Sequence, residues 1–120
     1  MHPKVSHNLY KKDMLLKHQE QQQKTRQLQE NALCEAKRLA KILLEEFGIE
    51  RVYLTGPLTY GKFQEDMPLE LALEGIPENI YAKALSHLKQ ISSFGIELID
   101  LQQADSWTKR SLKEKGKILS

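Results

Sequence analysis

Apolar and polar positions change their spacing twice along the chain. From Leu9 to Phe47 there is neither glycine nor proline, and strong helix formers dominate. Within it Leu28, Ala32, Ala36, Leu39, Leu43 and Phe47 recur at threes and fours, the stripe of a helix that packs. Between Gln19 and Gln29, in contrast, QEQQQKTRQLQ holds one apolar residue and has nothing to bury against its own domain. A continuous helix over this stretch would run roughly 58 Å at about 1.5 Å per residue, too long for one compact domain. The expected division is an N-terminal helical arm over residues 1–30 and a folded domain over 31–120. At the far end of the arm Leu9, Met14, Leu15 and Leu16 cluster beyond the glutamine spacer, a surface suited to a second chain.

Past Gly48 the spacing shortens. Gly48 followed by Ile49 reads as a helix stop with a hydrophobic cap contact. Arg51–Thr55, RVYLT, is rich in strand formers and is ended by Gly56. Leu69–Glu74, LELALE, alternates strictly, sending Leu69, Leu71 and Leu73 to one face and Glu70, Ala72 and Glu74 to the other. A helix is expected from near Pro77, with Ile80, Ala84, Leu88 and Ile91 on one stripe and Gly95 at its stop. IELIDL, Ile96–Leu101, gives a third strand, and Ser106 can cap a last short helix before Gly116. The predicted architecture is α/β in the α+β sense: a small mixed sheet with helices packed on one face, preceded by a long N-terminal helix.

Composition adds limits. The 120 residues, 40% hydrophobic and 28% charged, fit a folded domain rather than a disordered chain. Cys34 is the only cysteine, so no intramolecular disulfide can form, and a reducing, cytoplasmic setting is expected. No apolar run reaches the ~18 residues of a membrane span. The net charge of +2 is uneven: residues 1–30 carry six Lys/Arg against three acids, 105–120 five against two, and the centre seven against eleven. That swing is too small to imply nucleic-acid binding from charge alone.

The run FGIERVYLTGPLTYGKFQEDMPLELALEGIP resembles the minimal nucleotidyltransferases, small relatives of the DNA polymerase β catalytic fold. That family carries a Gly-Ser pair after the first strand, then about ten residues, then Asp-x-Asp on the second strand. Here the pair is Gly56-Pro57, the interval is Leu58 to Met67, and the second strand opens Pro68-Leu69-Glu70. GIELIDL looks like the strand that carries the family's third carboxylate, and Glu97 falls on it. GIPENIYAKAL and SWTKRSLKEKGKIL also fit the layout, so the likeness runs from about Ala32 to Leu119.

The chemistry implied by that resemblance uses Mg²⁺ ions to hold the phosphates of a nucleoside triphosphate while a nucleophile attacks the α-phosphate. Two carboxylates two residues apart clamp the metal, and a third on a neighbouring strand completes the site. A glycine admits the phosphates to the backbone, and the serine adds a hydroxyl and an N–H. Here Pro68 supplies no ligand, and Pro57 removes both the hydroxyl and the N–H, although it suits a first helical turn. Glu70 and Glu97 keep the charge on a longer side chain. Asp66 lies roughly 13 Å from Glu70 along an extended chain, too far to share a metal unless the chain bends.

Other residues carry less. His2, His7, His18 and His87 have no ligand spacing for zinc. Cys34 lies beside the apolar stripe and is expected in the core, and Trp107 is expected to anchor the last helix. Lys109, Arg110, Lys113 and Lys115 could meet phosphates, or form only a solvated face. GPLTYGKF resembles a P-loop in its Gly-Lys alone, since Phe63 stands where a magnesium-binding hydroxyl is required.

The resemblance thus implies a nucleotidyltransferase fold with a degraded metal and nucleotide site. Gly56 and Pro57 mark its nucleotide side, and Pro68, Glu70 and Glu97 its metal side. In that family such domains often pair with a small helical protein in toxin–antitoxin-like operons, and a homodimer or such a partner is expected through the N-terminal helix. Mg²⁺ and a nucleoside triphosphate are expected only if the site still works. Two alternatives stand beside this expectation. One is an active enzyme that moves a nucleoside monophosphate to a protein or small molecule; the other is a purely structural homodimer.

Overall fold

The structure, a computed structural model, describes the backbone of residues 3–119 and the side chains of residues 19–119. Eight elements follow one another: helix α1 (Pro3–Glu46), strand β1 (Arg51–Thr55), a 3-10 turn (Pro57–Tyr60), strand β2 (Leu69–Glu74), helix α2 (Tyr81–Ile91), strand β3 (Ile96–Asp100), helix α3 (Ser106–Lys115) and the two-residue strand β4 (Lys117–Ile118). The fold is α+β, with a mixed four-stranded sheet in the order β3-β2-β1-β4.

Each strand has a local cause. β1 and β2 run antiparallel, from Arg51 opposite Glu74 to Thr55 opposite Glu70. β2 and β3 run parallel, from Leu69 beside Ile96 to Leu73 beside Asp100, with α2 as the crossover that a parallel pair needs. The alternation in LELALE has its expected consequence. Leu69, Leu71 and Leu73 are fully buried in the main core, together with Val52, Leu54, Ile96 and Leu98.

The helix α1 covers that core face with Ala32, Ala36, Leu39, Ala40 and Leu43, all without exposed surface. Its end is a glycine stop: Gly48 has φ 69°, and the Ile49 N–H donates back to the Leu43 carbonyl at 3.2 Å. Residues 19–27 of the same helix are exposed throughout, and Leu28 and Gln29 are the first to be half-buried. The side chains of His2, His7, Leu9, Met14, Leu15, Leu16 and His18 lie outside the described residues. Gln29 ties helix to domain, donating from Nε2 to the Phe63 carbonyl at 2.5 Å. A second tie joins α1 to the end of α2. Glu35 accepts from Arg38 at 2.6 and 2.9 Å and from Ser92 Oγ at 2.6 Å, while Arg38 also donates to the Ile91 carbonyl at 3.1 Å.

Several details differ from the sequence-based expectation. α2 starts at Tyr81, after a turn in which the Ile80 N–H donates to the Pro77 carbonyl, and ends at Ile91 with Ser92 extended. Gly95 is therefore not its stop; it packs against Pro68 at the start of β2. Asp105, not Ser106, caps α3, because its carboxylate accepts from the Thr108 N–H at 2.7 Å. β4 was not expected; it lengthens the sheet on the β1 side. Finally, α1 and α2 cover one face, but α3 lies on the other. There Leu112 packs against a small cluster of Tyr53, Ala72 and Leu101, and Lys113 reaches Glu74 at 3.0 Å.

Candidate functional site

The residues singled out from the sequence converge where β1, β2 and β3 present their second face. Thr55 is the register partner of Glu70, and Glu70 that of Glu97, so three polar side chains sit side by side on three neighbouring strands. Neighbouring strands lie about 4.8 Å apart, which brings the two glutamates within reach of one ligand. Glu97 is exposed, and Glu70 is half-buried.

Glu70 is not free, however. Its Oε2 accepts a 2.7 Å hydrogen bond from Thr55 Oγ1, and Thr55 is buried. The same oxygen lies 3.1 Å from the point where Gly56 would carry a Cβ. Gly56 has φ 79° and ψ −163°, a conformation essentially limited to glycine. The glycine thus admits a close neighbour, as the sequence pattern required, but the neighbour is the carboxylate of Glu70. An anionic phosphate approaching this backbone would meet a fixed negative charge.

The turn itself has few donors to offer. Pro57 opens the 3-10 turn and has no N–H. The Thr59 N–H and Oγ1 both donate to the Gly56 carbonyl, at 3.1 and 2.6 Å. The Lys62 N–H is spent on the Pro57 carbonyl at 3.0 Å. Between this turn and α3 lies a cavity of about 210 Å³ lined by Thr55, Gly56, Thr59, Tyr60, Ser111, Leu112, Lys115 and Gly116. That is below the roughly 300–1,000 Å³ of small-molecule pockets.

Pro68 stands two residues before Glu70, its Cα 3.5 Å from the position of a Cβ on Gly95. The next residue, Leu69, begins the parallel ladder by donating to the Gly95 carbonyl at 2.8 Å. Proline at a strand's first position costs no ladder bond, which explains its tolerance there. Asp66 and Glu65 are exposed in the preceding turn. Among the described residues no group of three His, Cys, Asp or Glu side chains could hold a metal ion. Mg²⁺ takes one or two carboxylates beside waters and phosphates, and of the two glutamates here Glu70 is already engaged by Thr55.

The opposite end of this face is a structural lock. Lys113 beside Glu74 holds that carboxyl below the usual range, and Tyr53 Oη adds a bond of 3.3 Å. Two other expectations are corrected. Cys34 is exposed, on the flank of α1 rather than in its core stripe. Trp107 is 76% exposed, so Leu112 rather than Trp107 anchors α3. His87 packs near Phe47 and Glu46. Thr55 and Ser111 escaped the sequence reading. Thr55 carried one usable signal, since the residue before a Gly56 turn must lie opposite the start of the next strand.

Compared with models of known protein families, with curated proteins and with solved structures, the chain matches none. Among the described residues no helix is long and apolar enough to cross a membrane.

Proposed function

We propose that this protein is a non-catalytic member of the minimal nucleotidyltransferase fold, kept for binding or regulation rather than for nucleotidyl transfer. The observation that carries this reading is the contact of Glu70 with Gly56. The order Gly turn, second-strand acid and third-strand acid is retained on adjoining strands. Yet the retained acid is folded onto the glycine and hydrogen-bonded to Thr55. Pro68 and Pro57 remove a metal ligand and a phosphate donor from the same corner. A carboxylate that fills the phosphate seat is suited to closing a site, not to working one.

The partner of such a protein is a second copy or a small helical protein, in the manner of an antitoxin, engaged through α1. The polar surface of residues 19–27, exposed along its whole length, supports an arm that reaches away from the domain. A second reading, favoured by the adjacency of Glu70 and Glu97, is an active Mg²⁺-dependent transferase that uses both acids as ligands. It requires Glu70 to leave Thr55 when metal arrives.

The two readings separate in a transfer assay. Purified protein is incubated with Mg²⁺, each labelled ribonucleoside triphosphate and a cell lysate. The non-catalytic reading expects no labelled product. Labelling that depends on Mg²⁺ and vanishes in Glu70→Gln would establish the enzyme instead.

A further inference from the structure

Helix α3 is a different surface from the carboxylate corner, and it carries an unusual pairing of groups. Five of the eleven residues between Trp107 and Lys117 are Lys or Arg. Lys113 is occupied by Glu74, but Lys109, Arg110, Lys115 and Lys117 have no ion pair among the described residues. Trp107, the only tryptophan of the chain, is 76% exposed on this helix. It lies one turn before Ser111 and two turns before Lys115, and both of those line the cavity beside Tyr60, which is itself 61% exposed. A second shallow groove, of about 420 Å³, runs along Ser106, Lys109, Arg110, Lys113 and Glu114.

Two large aromatic side chains are left in solvent. By helical spacing Arg110 and Lys115 share the Trp107 side of α3, while Lys109 and Lys117 extend the basic surface around it, and the combination needs a common reason. A buried tryptophan would stabilise the helix, and here Leu112 does that instead. A flat indole flanked by cations is what single strands use: bases stack on the ring and phosphates meet the cations. An acidic protein surface would use the cations but not the exposed ring face. Duplex nucleic acid would use the cations while keeping its bases stacked away from Trp107.

We propose that α3, with Tyr60 and the end of the 3-10 turn, binds single-stranded nucleic acid. A base stacks on Trp107, and the phosphates meet Lys109, Arg110, Lys115 and Lys117. Charge distribution along the sequence was too weak to point there; the exposure of Trp107 supplies what was missing. The proposal does not depend on the state of the Glu70 site.

Because Trp107 is the sole tryptophan, its fluorescence reads the stacking directly. The full-length protein is titrated at low salt with single-stranded oligouridylate of about a dozen nucleotides, in the range of known single-strand sites. Quenching is expected, with an affinity that falls as salt rises along a log–log slope of roughly −3 for four engaged phosphates. Anisotropy of a labelled oligomer then measures the variants. Trp107→Ala should weaken binding about five- to a hundredfold. Lys109→Glu with Arg110→Glu should weaken it and flatten the slope by roughly 1.4. These side chains are exposed, so circular dichroism should show both variants folded. Absence of quenching at low salt overturns the proposal, as does equal response to uridine monophosphate or to a duplex of the same length. A blue shift with acidic lipid vesicles and none of the oligomer response would assign the surface to membranes instead and refute it. Variants that bind as tightly as the parent would place any strand elsewhere.

Discussion

Replacing Gly56 by alanine tests whether the corner between β1 and β2 is built as described. Two costs add. Alanine at φ 79°, ψ −163° occupies a region that costs side-chain-bearing residues about 1–3 kcal/mol. The new methyl also meets Glu70, 3.1 Å from Oε2, 3.2 Å from Cβ and 3.3 Å from Cδ. Oε2 can swing away only by leaving Thr55 Oγ1, a bond to a charged group worth about 1.5–3 kcal/mol at most, and less where water can replace it. Gly56→Ala should therefore destabilise the fold by about 2–5 kcal/mol, a large share of the ~5–15 kcal/mol that holds a domain together. In urea denaturation followed by circular dichroism the midpoint should fall by about 1–2 M. The same substitution in a Glu70→Ala background isolates the carboxylate. There the cost should shrink to about 1–3 kcal/mol, because backbone strain and the Cβ contact remain while the carboxylate is gone. An unchanged cost in that background would show that Glu70 does not lie on Gly56. A Gly56→Ala protein within about 0.5 kcal/mol of the parent would refute the corner altogether.

Three further outcomes are expected. Glu35, held below the ordinary value of 4.5 chiefly by Arg38 and also by Ser92, contributes stability above that value and loses it as pH falls through the lowered pKa. Glu35→Gln should therefore flatten the acid side of the stability–pH curve, and a curve superimposable on the parent's would show that the α1–α2 tie is idle. Asp105→Ala should lower the thermal or urea midpoint measurably while Ser106→Ala changes it little, because Asp105 caps α3 through the Thr108 N–H; the reverse order would restore Ser106 as the cap. Sedimentation should show a dimer at micromolar concentration for the full chain and a folded monomer after deletion of residues 1–20. If the full chain is a monomer and the deletion changes nothing, the arm has no role in association.

The sheet was legible because its strands combine strict alternation with glycine stops. LELALE places three leucines inward whatever the rest of the chain does. The stop after Phe47 was legible for a similar local reason, since Gly48 at positive φ needs nothing but its neighbours. What stayed hidden was tertiary. Pro77 marks a turn rather than a helix start, because the Ile80 N–H donates back to the Pro77 carbonyl and the helix begins only at Tyr81. The side of the sheet taken by α3 depends on Leu112, one half-buried leucine in a basic helix, and no periodicity settles that. At the candidate site Glu70 and Glu97 lie on adjoining strands, and Gly56 follows the end of β1 beside them. The spacing could not reveal that Thr55 would draw the Glu70 carboxylate onto the glycine, since that depends on side-chain rotamers.

The central claim is that the Glu70 corner is closed to a metal–nucleotide complex, and calorimetric titration tests it most directly. The parent protein and the triple variant Pro57→Ser, Pro68→Asp, Glu70→Asp are each titrated with Mg²⁺ and the four ribonucleoside triphosphates. The account predicts no binding heat for the parent and measurable Mg²⁺-dependent binding for the variant, whose shorter acids and restored hydroxyl reopen the seat over Gly56. Saturable binding of a magnesium–nucleotide complex by the parent, lost in Glu70→Gln, would contradict it.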